Sequence, residues 1–474
     1  MPDRRIYLLS PRELSPETIA VAFAKTSRSP ESFSEIASGL TEEKSAKFHE
    51  KWVVGYGHAS VAEHAVLHIA FENVSRLAIE PIESNRLASY TEKSTRYQKW
   101  APDDFFVPPE LDREALRAEY VAVCRLLFKT YADSLEPVRN LVIARTSRRE
   151  NETDEALDRR VRSRYVDVCR FLLPAASLAN VGMTVNARGL ENTIRKLLSH
   201  QLAEVRDIGA QVKAVALDEV PTLVKYAEAV PYISETELEF DWLARDAGSP
   251  DRTPAVPGEW CKLVDYDQDG ENKILAAALY RFGHQTYDDA LDHVRRLGPD
   301  ARARVAESLL GRLSEHDVPL RELEYAGYTF DLVMDQGAYA EFKRHRMMTQ
   351  TAQRLTASLG YSVPRLMVDA GLGAAYKSAL KAASELYERL ESINPYVGQY
   401  VVPNGFHRRV LAQFNLREAF TFCRLRAAPN AHFSIRRIAQ RISEELTRVH
   451  PLLARYMRLP AESWKDVEER HFAA

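Results

Sequence analysis

Apolar and polar positions along the chain fall into blocks whose order recurs once. Ile6, Tyr7, Leu8 and Leu9 form a short apolar run that predicts a strand. A turn at Pro11 follows, and Ile19, Val21, Ala22 and Phe23 then predict a helix. Residues 262–281 read the same way: Leu263 and Val264, an acidic turn, then Ile274, Leu275, Ala277, Ala278 and Leu279. Charged amphipathic patterns at Thr41–Trp52 and Pro299–Leu310 predict helices, each followed by a strand-like apolar run, His68–Val74 and Tyr328–Met334. Near the end of each half, Pro174, Asn186 and Arg188 are spaced identically to Pro403, Asn415 and Arg417. A repeat of about half the chain marks tandem domains rather than a solenoid. Between the halves, residues 246–258 hold Gly248, Ser249, Pro250, Pro254, Pro257 and Gly258, the composition of a linker. The expected organisation is an N-terminal domain over 1–245, a linker over 246–258 and a C-terminal domain over 259–474. The fold class is α+β: in each half a small, mostly antiparallel sheet packed with helices.

Composition narrows the function. The chain has 474 residues, 64 Lys plus Arg against 67 Asp plus Glu, and a net charge of -3. That balance argues against a nucleic-acid or membrane-surface binder, which carries a basic excess. No apolar run reaches membrane-spanning length, the N-terminus lacks a secretory h-region, and a cytoplasmic location is expected. Cys124, Cys169, Cys261 and Cys423 are far apart, most of them at helix spacing among apolar neighbours, and read as core or near-core thiols rather than disulfides, zinc ligands or nucleophiles. Asp265, Asp267, Asp269 and Gly270 imitate half of a calcium loop. Ala276 stands where its final glutamate belongs, so a surface turn is expected and no metal site. His64 and His200 read as buried, hydrogen-bonded histidines. Arg424–Arg441, interleaved with Phe433, Ile435 and Ile438, reads as an amphipathic helix.

Two polar stretches carry the chemistry. The first is Gly57-His58-Ala59-Ser60-Val61-Ala62-Glu63-His64, continued beyond a strand by Arg86 to Tyr97, which includes Glu92-Lys93-Ser94-Thr95-Arg96. The second is Arg344-His345-Arg346. Together with Arg170, Pro174, Asn186, Arg188 and Asn192 they resemble the flavin-dependent thymidylate synthases. The signature of that family is Arg-His-Arg-x-x-Ser-x-Asn-x-x-Ser-x-Arg-Tyr, preceded by Gly-His-x-Ser/Thr-x-x-Glu-His. Each half of the chain covers about one family domain.

Neither half is complete, and the losses are complementary. The N-terminal half has Ser84-Asn85-Arg86 in place of Arg-His-Arg. Its downstream arginine position falls on Leu197, or on Lys196 with a one-residue gap. The C-terminal half keeps Arg344-His345-Arg346 and places Arg426 eleven residues after Asn415. It carries Arg354-Leu355-Thr356-Ala357 in place of Ser-x-Arg-Tyr, Gln399 in place of Arg170, and His316-Asp317-Val318-Pro319 in place of the Gly-His element. In the family, one subunit grips the uridylate phosphate and its neighbour activates the pyrimidine. The retained residues are sorted by those two duties, which implies one composite site.

The resemblance implies the following roles. Glu92, Lys93, Ser94, Thr95, Arg96, Arg170, Glu341 and Arg344 bind deoxyuridylate (dUMP), with Glu341 standing where the family has Gln. Arg426 activates the pyrimidine. FAD lies against His58, Ser60, Glu92, Arg344, His345, Arg346 and the Asn186, Arg188, Asn192 set, or its counterpart Asn415 and Arg417. The implied reaction converts dUMP to dTMP with methylenetetrahydrofolate and NADPH as co-substrates. A homodimer would imitate the family tetramer, with long helices at the interface. Two alternatives remain: another flavin enzyme modifying a uridylate-like nucleotide, and an inactive nucleotide-binding paralogue.

Overall fold

A computed structural model describes residues 9, 11–26, 29, 31–55, 59–98, 100–112, 115–246 and 260–473. The strand expected at Ile6–Leu9, apart from Leu9, lies outside the described residues, as do His58 and the linker after Asp246. The described residues of Met1–Lys99, Asp104–Ala118 and Ala176–Pro250 form one compact unit. Those of Trp100–Asp103, Glu119–Ala175 and Asp251–Ala474 form a second. The units therefore cut across the two halves of the sequence: residues 100–103 and 119–175 precede position 245 yet pack with the C-terminal half.

The first unit is built on an antiparallel sheet of β1 (Val66–Ser75), β2 (Ala88–Glu92) and β3 (Leu178–Asn186), in the order β1-β3-β2. Along β3, Ala179, Val181, Met183 and Val185 are buried at every second position, the signature of a strand with one face in the core. Helices Arg76–Ile82, Ala187–Leu198 and Ala203–Glu219 supply the other side of that core through Ile79, Ile194 and Val205.

The second unit carries β4 (Cys261–Tyr266), β5 (Gly327–Asp335), β6 (Thr349–Ala352) and β7 (His407–Asn415), antiparallel in the order β4-β5-β7-β6. β5, β7 and β6 have the same order as β1, β3 and β2, as duplication requires. Phe330, Leu332, Val410 and Ala412 face a core completed by Ile435, Ile438 and Ile442. The basic stretch expected as one amphipathic helix is two helices, Leu416–Arg426 and Phe433–Val449; the segment between them contains Pro429, whose ring and missing N–H disfavour a continuous helix. Among the described residues no helix is long and apolar enough to cross a membrane.

Each sheet ends in the same buried device with its chemistry reversed. Ser75 closes β1 and caps helix Arg76–Ile82; the Glu204 carboxylate accepts from its backbone N–H at 2.8 Å and from its hydroxyl at 2.6 Å. Asp335 closes β5 and caps helix Gln336–Phe342; the Ser434 hydroxyl donates to its carboxylate. Glu204 and Ser434 are each the second residue of the following long helix. Hydroxyl and acid have exchanged places, and each buried acid retains a donor, which it requires.

In the second unit the segment from the first half meets the second half where the repeats correspond. Pro174 forms an antiparallel bridge with Pro403. Ala175 N–H donates to the Val402 carbonyl, Asn404 N–H to the Leu173 carbonyl and Gly405 N–H to the Phe171 carbonyl. A Cβ at Gly405 would lie 2.6 Å from the Tyr376 hydroxyl, so this approach requires glycine.

Candidate active site

Helix Gln336–Phe342 presents Glu341 in its last turn, and the chain then turns through Arg344-His345-Arg346 into β6. Helix Leu416–Arg426 starts at Asn415, whose side chain accepts from the Glu418 N–H, and ends at Arg426. Helix Asp154–Cys169 delivers Arg170 immediately after its end. These three elements converge. Arg426 Nη1 donates to Glu341 Oε2 at 2.9 Å, and Arg170 Nη2 lies 3.8 Å from Glu341 Oε1. Arg426 Nε donates to His345 Nε2 at 2.9 Å, and His345 Nδ1 is 3.0 Å from Glu418 Oε1. Arg170 is also 3.1 Å from Asp167 Oδ1.

The cluster is desolvated: the side chains of Arg426, Glu341 and Arg170 are only 18%, 17% and 15% exposed. Burial is the largest influence on Arg426 and pulls its pKa below the ordinary arginine value, while Glu341 opposes that shift. Burial also lowers the pKa of His345, against the pull of Glu418, so the imidazole is neutral at pH 7. Since its Nε2 accepts from Arg426, its proton sits on Nδ1 toward Glu418. Arg170, Glu341, His345 and Arg426 are thus brought together, with Arg344 close enough to act on Arg426 through its charge. Arg344 itself is exposed and Arg346 half-buried.

The remaining expected site residues belong to the first unit. Glu92, at the end of β2, is 2.7 Å from Arg76 with its side chain 4% exposed. Lys93 and Ser94 are exposed, and the Ser94 hydroxyl accepts from the Arg96 backbone N–H at 3.3 Å, so it shapes its own turn. Thr95 is buried and Arg96 half-buried. Asn186 caps helix Ala187–Leu198 by accepting from the Gly189 N–H, as Asn415 does in the other copy; both asparagines have a structural duty independent of any ligand. Asn186, Arg188 and Asn192 line a cleft of about 720 Å³ with Arg86, Arg195 and Lys196. Ser60 lines a different cavity, of about 660 Å³, with Phe23 and Trp52.

The two copies correspond contact by contact. Lys196 donates to Asn85 Oδ1 at 3.0 Å, as Arg426 donates to His345, whereas Leu197 is fully buried in the core. The one-residue gap is therefore real and Lys196 is the counterpart of Arg426. Arg188 pairs with Glu63 at 2.5 Å, and Arg417 pairs with Glu324 at 2.8 Å and donates to the Pro319 carbonyl at 2.8 Å. Glu63 and Glu324 each stand three residues before their strand, a spacing from which Glu324 could have been read as the surviving part of the Gly-His element. Glu418 and Asp167 were also missed. Glu418 is legible as the acid three residues after the Asn415 cap, whereas nothing local marks Asp167.

Other sequence readings resolve plainly. Asp267 pairs with Lys273 at 2.7 Å and Asp269 with Arg295 at 2.6 Å, so the acidic turn is tied to cations. His200 is half-buried, accepts from the Leu202 N–H, and has its pKa lowered to about 4, chiefly by burial. His64 is exposed, contrary to expectation, and stacks on Phe23 at 4.9 Å. All four cysteines are buried, and desolvation raises their pKa values, to about 12 for Cys124 and Cys169. The native protein should accordingly resist iodoacetamide, with all four thiols alkylated once guanidinium unfolds it; mass spectrometry reads the difference. Rapid native labelling would contradict the assignment of these thiols to the core.

A family model described as thymidylate synthase complementing protein matches residues 10–222 and again 262–452. The chain is 31% identical to a UPF0159 protein of Chlamydia muridarum over 440 residues, 90% of this chain and 83% of that one. It is 28% identical to a UPF0159 protein of Thermoplasma acidophilum over 449 residues, 87% and 88% of the two chains. A flavin-dependent thymidylate synthase of Clostridium tetani is 27% identical over 215 residues, which are 45% of this chain but 82% of that enzyme. With one family matched twice in succession, and with sheets, caps and buried pairs recurring in the same order, the chain belongs to the flavin-dependent thymidylate synthase family as a tandem duplication of its domain.

Proposed function

We propose that the chain converts deoxyuridylate to deoxythymidylate with FAD as cofactor, methylenetetrahydrofolate as carbon donor and NADPH as reductant. The observation that carries this reading is the junction at Glu341. There Arg170, from the half that keeps the phosphate-gripping motif, meets Arg426 and His345, from the half that keeps the activating one. An arginine fork suits a phosphate monoester and a second arginine suits a pyrimidine carbonyl edge. Arg170 would grip the phosphate, while Arg426, oriented by His345, would polarise the ring.

The basic cleft of the first unit suits the diphosphate of FAD. Arg188 there has Glu63 as an ion-pair partner with side chains 54% and 42% exposed, a pair weak enough to exchange for a ligand. Arg417 is more enclosed, 32% exposed, and held by both Glu324 and a carbonyl. The Asn186, Arg188 and Asn192 set is therefore the better flavin holder of the two. When bound, the flavin supplies the redox step, and the protein positions and polarises the substrate. A homodimer presenting four family domains is the proposed assembly.

Purified protein should show flavin absorbance or take up FAD, form dTMP from dUMP, methylenetetrahydrofolate and NADPH, and bind about one dUMP per chain by calorimetry. Absence of flavin binding would sink this proposal. A second reading, a flavin enzyme acting on another uridylate-like nucleotide, is favoured by one observation: Glu341 puts a carboxylate against Arg426 where the family has an amide. Flavin and nucleotide binding without dTMP would support it.

A further inference from the structure

Glu341 differs from a passive counter-ion in where its two oxygens point. One receives the Arg426 guanidinium at 2.9 Å and the other faces Arg170 at 3.8 Å. A guanidinium donor and a carboxylate acceptor stand side by side, the complement of a ring edge carrying a carbonyl beside an N–H. Building on the uridylate reading above, we propose that Glu341 receives the N3 proton of the bound pyrimidine. The ring is then held as the neutral N3–H lactam and activated in place, rather than bound as a preformed anion.

The charges around the site support this. Arg170, Arg344 and Arg426 are three cations; Asp167, Glu341 and Glu418 are three carboxylates, so the cluster is balanced before any ligand enters. A pyrimidine already ionised at N3 would meet an ionised carboxylate beside the arginine meant to attract it, and the two effects oppose each other. Transfer of the proton removes that conflict. The N3–H bond breaks, an O–H bond forms on Glu341, and the electron pair stays on the ring, delocalised onto its carbonyl oxygens and C5. Arg426 then faces a ring anion with a neutral acid at its side. The total charge is unchanged and no further reactant is needed.

The neighbouring bases are otherwise engaged. Both ring nitrogens of His345 are used, by Arg426 and by Glu418. His432, which feels the charges of Arg170 and Glu341, is fully buried and bonds through Nε2 to the Asp167 carbonyl. Asp167 is held by Arg170. A glutamine at position 341 could bond to the same edge but could not take a proton, so the substitution that departs from the family pattern is the one that adds this chemistry.

The test compares binding of dUMP with that of 5-fluoro-dUMP, whose N3–H is more acidic, by calorimetry between pH 6 and 9. Taking the ratio of the two cancels the ionisation of the shared phosphate. In the wild type, which takes the neutral N3–H form, the fluorinated nucleotide should lose about tenfold relative to dUMP as pH rises through its N3 ionisation and depletes that form, the effect of one unit of pKa difference. In Glu341→Gln, where no carboxylate opposes an ionised ring beside Arg426, that loss should be abolished, leaving the ratio within about threefold or rising. A wild-type ratio that stays flat or climbs overturns the proposal, as does the same loss in both proteins. If neither protein binds either nucleotide, the uridylate reading falls as well, so the two failures are distinguishable.

Discussion

If the chain has the proposed activity, Arg426→Ala is expected to lower kcat for dTMP formation by about a hundredfold or more, the scale of removing one preorganised electrostatic donor from a desolvated site. Its KM for dUMP moves less, because the phosphate grip lies elsewhere. Arg170→Ala shows the converse, a raised KM with a smaller change in kcat, since the loss of one charge-assisted contact costs about 1.5–3 kcal/mol of binding. Steady-state kinetics separates the two patterns. When the two variants are mixed and allowed to exchange subunits, activity at a dUMP concentration well below the raised KM is expected not to exceed the average of the two, because both arginines meet Glu341 within a single chain. Full recovery on mixing would show that the site is assembled between chains and would refute this arrangement.

Glu204→Ala costs about 3–5 kcal/mol of stability, because it leaves two buried donors of Ser75 without an acceptor and opens a void among packed atoms. Ser434→Ala costs less, about 1–3 kcal/mol, because the buried Asp335 carboxylate loses the hydroxyl donor but keeps the Ala338 N–H. Chemical denaturation reads both. The double substitution Asp335→Ser with Ser434→Glu copies the arrangement of the first unit into the second and should recover at least about 1 kcal/mol relative to the sum of the single changes, as coupled neighbours do. A double variant no better than additive would show that the two devices are not interchangeable.

Much of this was legible because periodicity and spacing are local properties. β1, β5 and helix Pro299–Leu310 lie where the apolar pattern put them, to within about two residues. The order of the repeats and the sorted motif residues led directly to Arg170, His345 and Arg426. What the sequence hid was tertiary. Nothing in residues 119–175 announces that they pack with the other half, since that preference lies in the fit of Phe171 and Pro174 against Pro403 and Gly405. The double duty of Asn186 and Asn415 was hidden for another reason: a cap and a ligand contact favour the same residue type. His64 was misread because a histidine beside apolar residues looks the same whether its ring is buried or lies on an exposed phenylalanine. Lys196 was ambiguous by one residue, and only its bond to Asn85 decides between it and Leu197.

The junction at Pro174 and Pro403 also constrains how such a chain can change over generations. A single-domain ancestor in a symmetric assembly must keep every motif residue, because each copy serves on both sides of an interface. Once two copies are joined and residues 170–175 of one are bonded to residues 402–405 of the other, each copy is released from half of its obligations. On the proposed composite site, Asn85 could then stand for a histidine, and Gln399 for an arginine, without loss at the site that remains. The process runs one way. To return to a single-domain protein, one copy would have to regain several charged residues at once, with no benefit from any of them alone. Fusion thus turns a reversible association into a commitment, and the scattered losses in the two halves record it.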